Sequence, residues 1–485
     1  MDDKRGRRVV FSSLSFIFLF LPALLAAYFL LGAGSIKIKN LILLVFSIGF
    51  YACGGLRFLP ALAASVVFNY LFGLLVSNKN PGKTRKTAIF CATAFNLGLL
   101  VWFKYIGFFA EIVNSLNIKG LKIPVPTVVL PIGISFYTFQ GMSYVFDVYY
   151  GNAKAERNIF KVALYILLFP QLVAGPIVRY HTIAEQISCR KETLEGFSQG
   201  FMRFLFGLAK KVLLANQLGR IADAAFSAPA AELSAGMAWL GVISYTFQLY
   251  FDFSGYSDMA IGMGRAFGFS FPENFNYPYI SQSITEFWRR WHMSLSTWFR
   301  DYLYIPLGGS RVVLWKQIRN LLVVWTLTGF WHGAAWNFLL WGLFYAVLLI
   351  GERYIWGKAV AKLPGFFRHV YALFFICIGW LLFRSGSVQQ ISAFLSAMFG
   401  SGKAGGWDGQ ATYYLLEFRW ELLIALLASL PPKKAVHSFL ERREERLWAN
   451  FLLNWGAPAL SLILGFFSVM RLITSSFNPF IYFQF

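Results

Sequence analysis

The stretch VVFSSLSFIFLFLPALLAAYFLL, residues 9–31, carries no charged side chain from end to end. A helix that crosses the hydrocarbon layer of a bilayer needs about 20 predominantly apolar residues, and this run supplies them. It lacks a small-residue cleavage site and runs on as a full span, so it reads as an anchored helix and not as a cleaved signal. Similar runs follow at 58–77, 88–113, 125–150, 158–178, 235–250, 334–350, 366–385 and 450–473. Shorter runs, broken by glycine or carrying charge, stand at 40–53, 199–217, 254–270, 318–333 and 411–430. The expectation is an all-α polytopic membrane protein with about eleven transmembrane helices, the other segments being re-entrant or interfacial.

Composition points the same way. Hydrophobic residues make up 57% of the 485 and charged residues 14%, with a mean hydropathy of +0.56, whereas a soluble domain is roughly a quarter charged. The longest polar stretches are 78–87, 184–198, 272–292, 401–411 and 432–449, too short to hold a soluble domain. One membrane-embedded domain over residues 1–485 is therefore expected. No internal repeat is visible, which argues against the inverted-repeat design of secondary transporters.

Lysine and arginine total 44 against 22 acidic residues, a net charge of +22. In a soluble chain that would suggest nucleic acid, but here the basic residues sit in short loops beside apolar runs, the positive-inside pattern. The clusters are Lys4, Arg5, Arg7 and Arg8; Lys79, Lys83, Arg85 and Lys86; Arg311, Lys316 and Arg319; and Lys433 through Arg446. If the first two are both cytoplasmic, one of the segments 40–53 and 58–77 does not cross fully. Cys53, Cys91, Cys189 and Cys377 are scattered singly; they read as small buried hydrophobes, with neither a metal site nor a disulfide framework.

Residues 272–310 differ from the rest, being rich in charge and tryptophan. Ile284, Trp288, Trp291, Leu295, Trp298 and Tyr302 recur at alternating spacings of four and three, one face of a helix, with Glu286, Arg290, Ser294, Thr297 and Asp301 opposite. Residues 284–302 are thus expected to form an interfacial amphipathic helix, closed by the breaker cluster Ile305 to Gly309.

Five histidines occur. His332 stands in an apolar stretch, where an ionisable group is costly and is by default a functional candidate. Gly329 and Gly333 flank it, so that a helix or ligand can approach the backbone closely. Thr328 and Trp336 would share its helical face as an orienting hydroxyl and an aromatic wall. The competing reading is a core histidine bonded across helices. His292 lies at the border of the amphipathic helix, and its competing reading is an interfacial side chain. His181, His369 and His437 adjoin basic residues and read as loop histidines. Asp147, Asp252 and Asp258 lie in apolar context, where a carboxylate faces a cavity or a cation; Arg265, two turns on, is the helical partner that Asp258 suggests.

A lone imidazole with no adjacent Ser or Cys nucleophile signature suits general base catalysis on a substrate hydroxyl. An acyl thioester brings an activated carbonyl, for which a base and a few oxyanion donors suffice.

The run from Trp288 to Tyr304, with Arg289, Arg290, Trp291, His292 and Ser296 inside it, followed by Trp331-His332-Gly333, resembles the membrane-bound O-acyltransferase superfamily. More narrowly it resembles the bacterial alginate O-acetylase branch, which is similar to the D-alanyl transfer protein of teichoic acid modification. Leu130 to Phe136, Ala174-Gly175-Pro176, Asp252 to Asp258, Pro272 to Tyr277 and Phe480 to Phe483 extend the likeness over nearly the whole chain. The resemblance implies a tunnelled helical fold in which His332 and His292 are the catalytic positions. It implies substrate contacts at Trp288, Arg289, Arg290, Ser296, Thr328, Trp331, Trp336, Asp252 and Asp258, no bound cofactor or metal, and acetyl-CoA or another acyl thioester as donor, attracted by Arg289, Arg290 and Lys316. It further implies O-acetylation of an exported polysaccharide such as alginate, cellulose or peptidoglycan, a multi-pass position in the bacterial plasma membrane, and an extracytoplasmic partner with a Ser-His-Asp (SGNH-type) site. The rival classes are an ion-coupled transporter or channel and an anchoring scaffold of an export complex.

Overall fold

Proline decides where several apolar runs become helices. In this computed structural model, which describes residues 10–77, 80–118, 122–173, 175–402, 404–431, 439, 455–475 and 477–479, the described residues form helices and no strand. The run 125–150 is helical only over Ile134–Tyr150, because Pro124, Pro126 and Pro131 deny the preceding residues amide donors and fix an extended backbone. The run 158–178 likewise yields Ile159–Leu167 and then the single turn Phe169–Leu172, whose second residue is Pro170. Residues 9–31 are helical over Phe16–Leu31. The runs 235–250 and 254–270, in contrast, join in one helix, Ala235–Ala266.

Among the described residues four helices are long and apolar enough, by length and composition, to cross a membrane: Leu56–Leu75, Gly82–Ser115, Gly365–Arg384 and Ala457–Thr474. Phe466 and Phe467 on the last of these are 61% and 56% exposed, the pattern of a lipid-facing surface and not of a soluble one. The expectation of about eleven spans goes beyond these four. Ile36–Ala52 has 17 residues, which at 1.5 Å per residue gives about 25 Å against the roughly 30 Å of a hydrocarbon core. Cys53, Cys91 and Cys189 are exposed and only Cys377 is buried, so three of the four cysteines are not the buried hydrophobes expected.

Contacts sort the chain into two compact units, Met1–Phe204 with Met259–Pro272, and Leu205–Asp258 with Glu273–Phe485. In the first, Ile134–Tyr150 is buried along nearly its whole length. Gly141 lets it lie against Asn69, since a Cβ there would collide with the amide. Asn69 and Asn96 exchange side-chain hydrogen bonds of 3.1 and 2.8 Å, the pairing that polar groups require where water is excluded. At the polar stretch 184–198 of the same unit, burial alone would push the Glu192 carboxyl up. Hydrogen bonds from Lys39 (2.8 Å) and Tyr28 (2.5 Å) outweigh it and hold the group below the usual carboxylate range.

The second unit is built on a helical hairpin, Leu314–His332 and Trp336–Tyr354. Gly329 and Gly342 let the two backbones touch: a Cβ on Gly329 would strike the Phe338 carbonyl, and one on Gly342 the Trp325 carbonyl. Gly365–Arg384 packs on the outer face of Trp336–Tyr354. The segment 284–302 is not one helix. It divides into Ile284–Arg290, Met293–Phe299 and a π-turn at Arg300–Tyr304, with His292 between the first two in the left-handed region at φ 44. Its apolar face, Ile284, Trp288, Trp291, Leu295 and Trp298, is buried in protein.

The start of this segment is heavily satisfied. Ser283 Oγ accepts from the Glu286 amide at 3.0 Å and Glu286 accepts from the Gln282 amide at 2.9 Å, a form of capping box. Glu352, on the hairpin, accepts from the Ile284 amide (2.6 Å), the Thr285 amide (2.8 Å) and the Thr285 hydroxyl (2.7 Å). Glu352→Ala removes the two oxygens that accept these three hydrogen bonds, so a loss of about 2–4 kcal/mol is expected. A lowered thermal midpoint in detergent, with early proteolysis within 284–302, is the expected result. An unchanged midpoint would show that Glu352 does not hold this helix.

Candidate active site

His332 is the last residue of the helix Leu314–His332, which stops because Gly333 turns extended. Its half-buried ring lies edge-to-face against Trp331 (4.9 Å between centroids), Trp341 (5.0 Å) and Phe383 (5.3 Å). The helix ends before Trp336, so the expected sharing of a helical face fails: Trp336 is 57% exposed, and Trp341 and Phe383 form the wall in its place. Thr328 is buried one turn before His332, but its hydroxyl donates to the Val324 carbonyl at 2.8 Å. Gly333 is held close by the Phe338 ring, which a Cβ would strike.

His292 is 1% exposed, so it is a core side chain and not the interfacial one that its border position suggested. Two backbone hydrogen bonds clamp its strained turn: Met293 N–H to Asn274 O and Asn276 N–H to Arg290 O, both 2.9 Å. The Asn274 side chain then determines the tautomer. Its Oδ1 accepts from the Ser294 amide (3.3 Å) and the Ser294 hydroxyl (2.9 Å), while its Nδ2 donates to Ser257 Oγ (2.9 Å). A backbone N–H can only donate, so the atom facing it must be oxygen, and His292 Nδ1, 3.0 Å from that oxygen, must carry the proton. Nε2 is left as the acceptor, buried and with no partner among the described residues. The two short helices around His292 do not cross a membrane, and burial pushes its pKa down from 6.5 to about 3. The imidazole is therefore neutral at any ordinary pH.

Trp331 links the two histidines, its ring 6.1 Å from that of His292 and 4.9 Å from that of His332. Trp288 lies in the adjoining aromatic cluster, 4.6 Å from Trp325, 5.6 Å from Trp341 and 4.9 Å from Tyr345. Ser296 makes only a long contact, 3.4 Å, with the Trp288 carbonyl. Arg289 is exposed, whereas Arg290 is occupied by Glu286 (2.9 Å) and the Asn276 carbonyl (3.1 Å). Lys316 stacks over Trp315 at 5.5 Å.

The carboxylates are paired. Asp252 meets Lys211 at 2.6 Å, both almost fully buried, and Asp258 meets Lys210 at 2.7 Å; Arg265, the expected partner, is exposed. Both lysines begin a π-turn, Lys210–Ala215. Asp147 accepts from the backbone and ring of His181, both at 2.9 Å, and His369 lies within the helix Gly365–Arg384, so neither histidine is the loop residue expected. His437, the basic clusters around Lys4 and Lys433, and Phe480 to Phe483 lie outside the described residues. Among the described residues no group of three or more His, Cys, Asp or Glu could hold a metal ion. Asn274, Trp341, Tyr345 and Lys211 received no role from the sequence. Asn274 lies inside the quoted stretch Pro272 to Tyr277, and that was its only signal.

The chain's likeness to known proteins centres on this region. A model of the membrane-bound O-acyltransferase family matches residues 156–389, which contain both histidines. The sequence is 40% identical to the probable alginate O-acetylase AlgI of Azotobacter vinelandii, over 98% of this chain and 100% of that one. It is 32% identical to the peptidoglycan O-acetyltransferase of Helicobacter pylori over 98% of each chain. With the teichoic acid D-alanyltransferase of Bacillus subtilis it shares 31% identity over 52% of this chain and 68% of that one. A multi-pass membrane acyltransferase by these measures, the chain belongs to the membrane-bound O-acyltransferase family.

Proposed function

We propose that this protein is an O-acetyltransferase of the bacterial plasma membrane, which takes acetyl from a cytoplasmic thioester and passes it on for O-acetylation of an exported polysaccharide. The observation that carries the reading is the pair of imidazoles against Trp331, one with its tautomer set by Asn274. The relatives' names add that the acyl groups concerned go to polymers: alginate, peptidoglycan or teichoic acid. Transporter and scaffold readings leave this arrangement without a task.

The two histidines divide the work by environment. A base whose conjugate acid has a pKa near 3 takes up a proton too weakly to serve at neutral pH. His292 Nε2 is instead an orienting acceptor for the hydroxyl, and His332 is the base. As the hydroxyl oxygen bonds to the acyl carbon, His332 accepts its proton; the carbon–sulfur bond then breaks and the proton passes to the departing thiolate. The donor is coenzyme A thioester or a carrier-protein pantetheine thioester, drawn to the cytoplasmic surface by Arg289 and Lys316. An extracytoplasmic partner with a Ser-His-Asp site completes delivery to the glycan.

The decisive experiment gives the purified full-length protein radiolabelled acetyl-coenzyme A and a panel of alginate, cellulose and peptidoglycan acceptors. Label should move to polymer or partner with the native chain. His332→Ala should abolish transfer while the protein still accumulates in the membrane; near-normal transfer would remove His332 from the chemistry.

For His292→Gln the expected result is a turnover lower by roughly 10-fold or more, with the acidic limb of the pH–rate profile unmoved. A group protonated only below about pH 3 contributes no titration between pH 5 and 9, so a limb displaced by a full pH unit would count against the assignment.

Arg289→Glu should raise KM for the anionic donor several-fold, change turnover less, and be mimicked in part by added salt. A cysteine at position 289 that reacts with impermeant reagent only from outside the cell would reverse the orientation proposed.

A further inference from the structure

Three aromatic side chains of the cluster that adjoins His332 through Trp341 carry polar hydrogens with no hydrogen-bond partner among the described residues. Trp341 is 1% exposed, Tyr345 0% and Trp288 7%. Trp341 Nε1, Tyr345 Oη and Trp288 Nε1 are buried and have no hydrogen-bond partner among the described residues. The rings touch pairwise, with centroids 5.4 Å apart for Trp341 and Tyr345, 5.6 Å for Trp288 and Trp341, and 4.9 Å for Trp288 and Tyr345. One of them, Trp341, also lies edge-to-face on His332 at 5.0 Å.

Burying an N–H or O–H without an acceptor costs about 1–3 kcal/mol for each group, and folded proteins leave few such groups. Three in one mutually touching triangle, next to an ionisable residue, concentrate that cost in one place. Indole N–H is a donor only, and a phenol at ordinary pH is a good donor. The triangle therefore lacks acceptors, and the ligand it suits presents an oxygen lone pair. The helix Gly365–Arg384 passes Tyr345 at Gly379, where a Cβ would collide with the hydroxyl, so the missing side chain is what lets the phenol oxygen lie against that helix's backbone.

We infer that Trp341, Tyr345 and Trp288 are the hydrogen-bond donors to the acyl carbonyl oxygen of the donor thioester, and that they stabilise the negative charge that develops on it during attack. This rests on the acyltransferase reading above and adds to it the electrophilic half of the site. Donors fixed in a desolvated aromatic wall need no reorganisation when charge appears, which is the condition under which such bonds are worth most. The alternative is that each N–H points at a neighbouring ring face. Trp288 stands at 88° to Tyr345 and 78° to Trp341, so this arrangement is sterically available.

Isotope-edited infrared spectroscopy separates the two. Acetyl-coenzyme A labelled with carbon-13 at the carbonyl is bound to full-length His332→Ala protein, which holds the donor without turning it over. The carbonyl band should move to lower frequency on binding. Adding Tyr345→Phe or Trp341→Phe, each of which keeps a ring and deletes one donor, should reverse part of that displacement. In the His332 background the same variants should lower turnover by on the order of 100-fold with KM for donor changed less than about twofold.

A red-shifted band that neither variant alters, in protein of unchanged thermal midpoint, would overturn the inference and leave the acyltransferase reading intact. Absence of any donor binding to the native protein would overturn both. Should Trp341→Phe fail to accumulate, Tyr345→Phe alone decides the question, because it removes a single oxygen from a ring that stays in place.

Discussion

The contact of Gly329 with Gly342 is the constraint from which the rest of this site is built. Two helices whose backbones touch cannot slide or rotate independently, since each glycine faces a carbonyl of the other helix. That contact fixes the end of the helix Leu314–His332, and hence His332, relative to Trp341 and Tyr345 on the returning helix. Glu352, two turns beyond Tyr345, then reaches the first amides of Ile284–Arg290. One close approach between small residues thereby positions an imidazole, an aromatic wall and the segment that carries the second imidazole. In a bilayer, where apolar surfaces gain little from meeting one another, such packing is a principal source of helix association.

Polar groups inside the protein follow a complementary rule. Water is not at hand to satisfy them, so partners within the chain must do so. Asn69 with Asn96, Asp252 with Lys211, Asp147 with His181 and Asn274 with Ser294 each meet this demand. A buried ion pair such as Asp252–Lys211 gains little net stability over an apolar replacement, yet removing one partner leaves the other charge stranded. These pairs therefore hold registry more than they add stability. His292 Nε2 and the three aromatic donors are among the buried polar atoms with no hydrogen-bond partner among the described residues, and the proposed site is where they adjoin Trp331 and one another.

What could be read from the sequence was whatever depends on neighbours along the chain. The runs 58–77 and 366–385 became helices at nearly the expected bounds, and 450–473 one that ends as expected, because hydropathy and helix length are local. The runs 125–150 and 158–178 were overestimated where proline, also local, should have carried more weight. His332 and His292 were identifiable because an ionisable group in apolar or tryptophan-rich surroundings is conspicuous by itself. Trp336 was misplaced because a period of 3.6 was carried across Gly333, beyond the point where the helix stops. Asn274 could not be found, since its role lies in a contact across 18 residues, and Trp341 and Tyr345 lie inside the apolar run 334–350, where nothing local singles them out. The single amphipathic helix at 284–302 failed for a related reason: its spacing is helical on both sides of His292, and only tertiary contacts to Asn274 and Asn276 hold the left-handed turn between.

The burial that makes His292 a poor base also makes it a suitable neighbour for an anionic donor. A protonated imidazole here would attract the phosphates of coenzyme A or a carrier equally before and after transfer, binding that lowers KM and slows release without favouring the transition state. A neutral Nε2 has no such attraction and interacts only with a group that can donate a hydrogen bond, which a hydroxyl does and a phosphate does not. In the proposed reaction, charge recognition is left to the exposed Arg289, where screening by salt keeps it weak and reversible. On the proposed reading, selection within the wall rests on hydrogen-bond direction: acceptors toward Trp341 and Tyr345, a donor toward His292. A thioester carbonyl and an alcohol meet both requirements at once, whereas a single simple ion meets at most one of them.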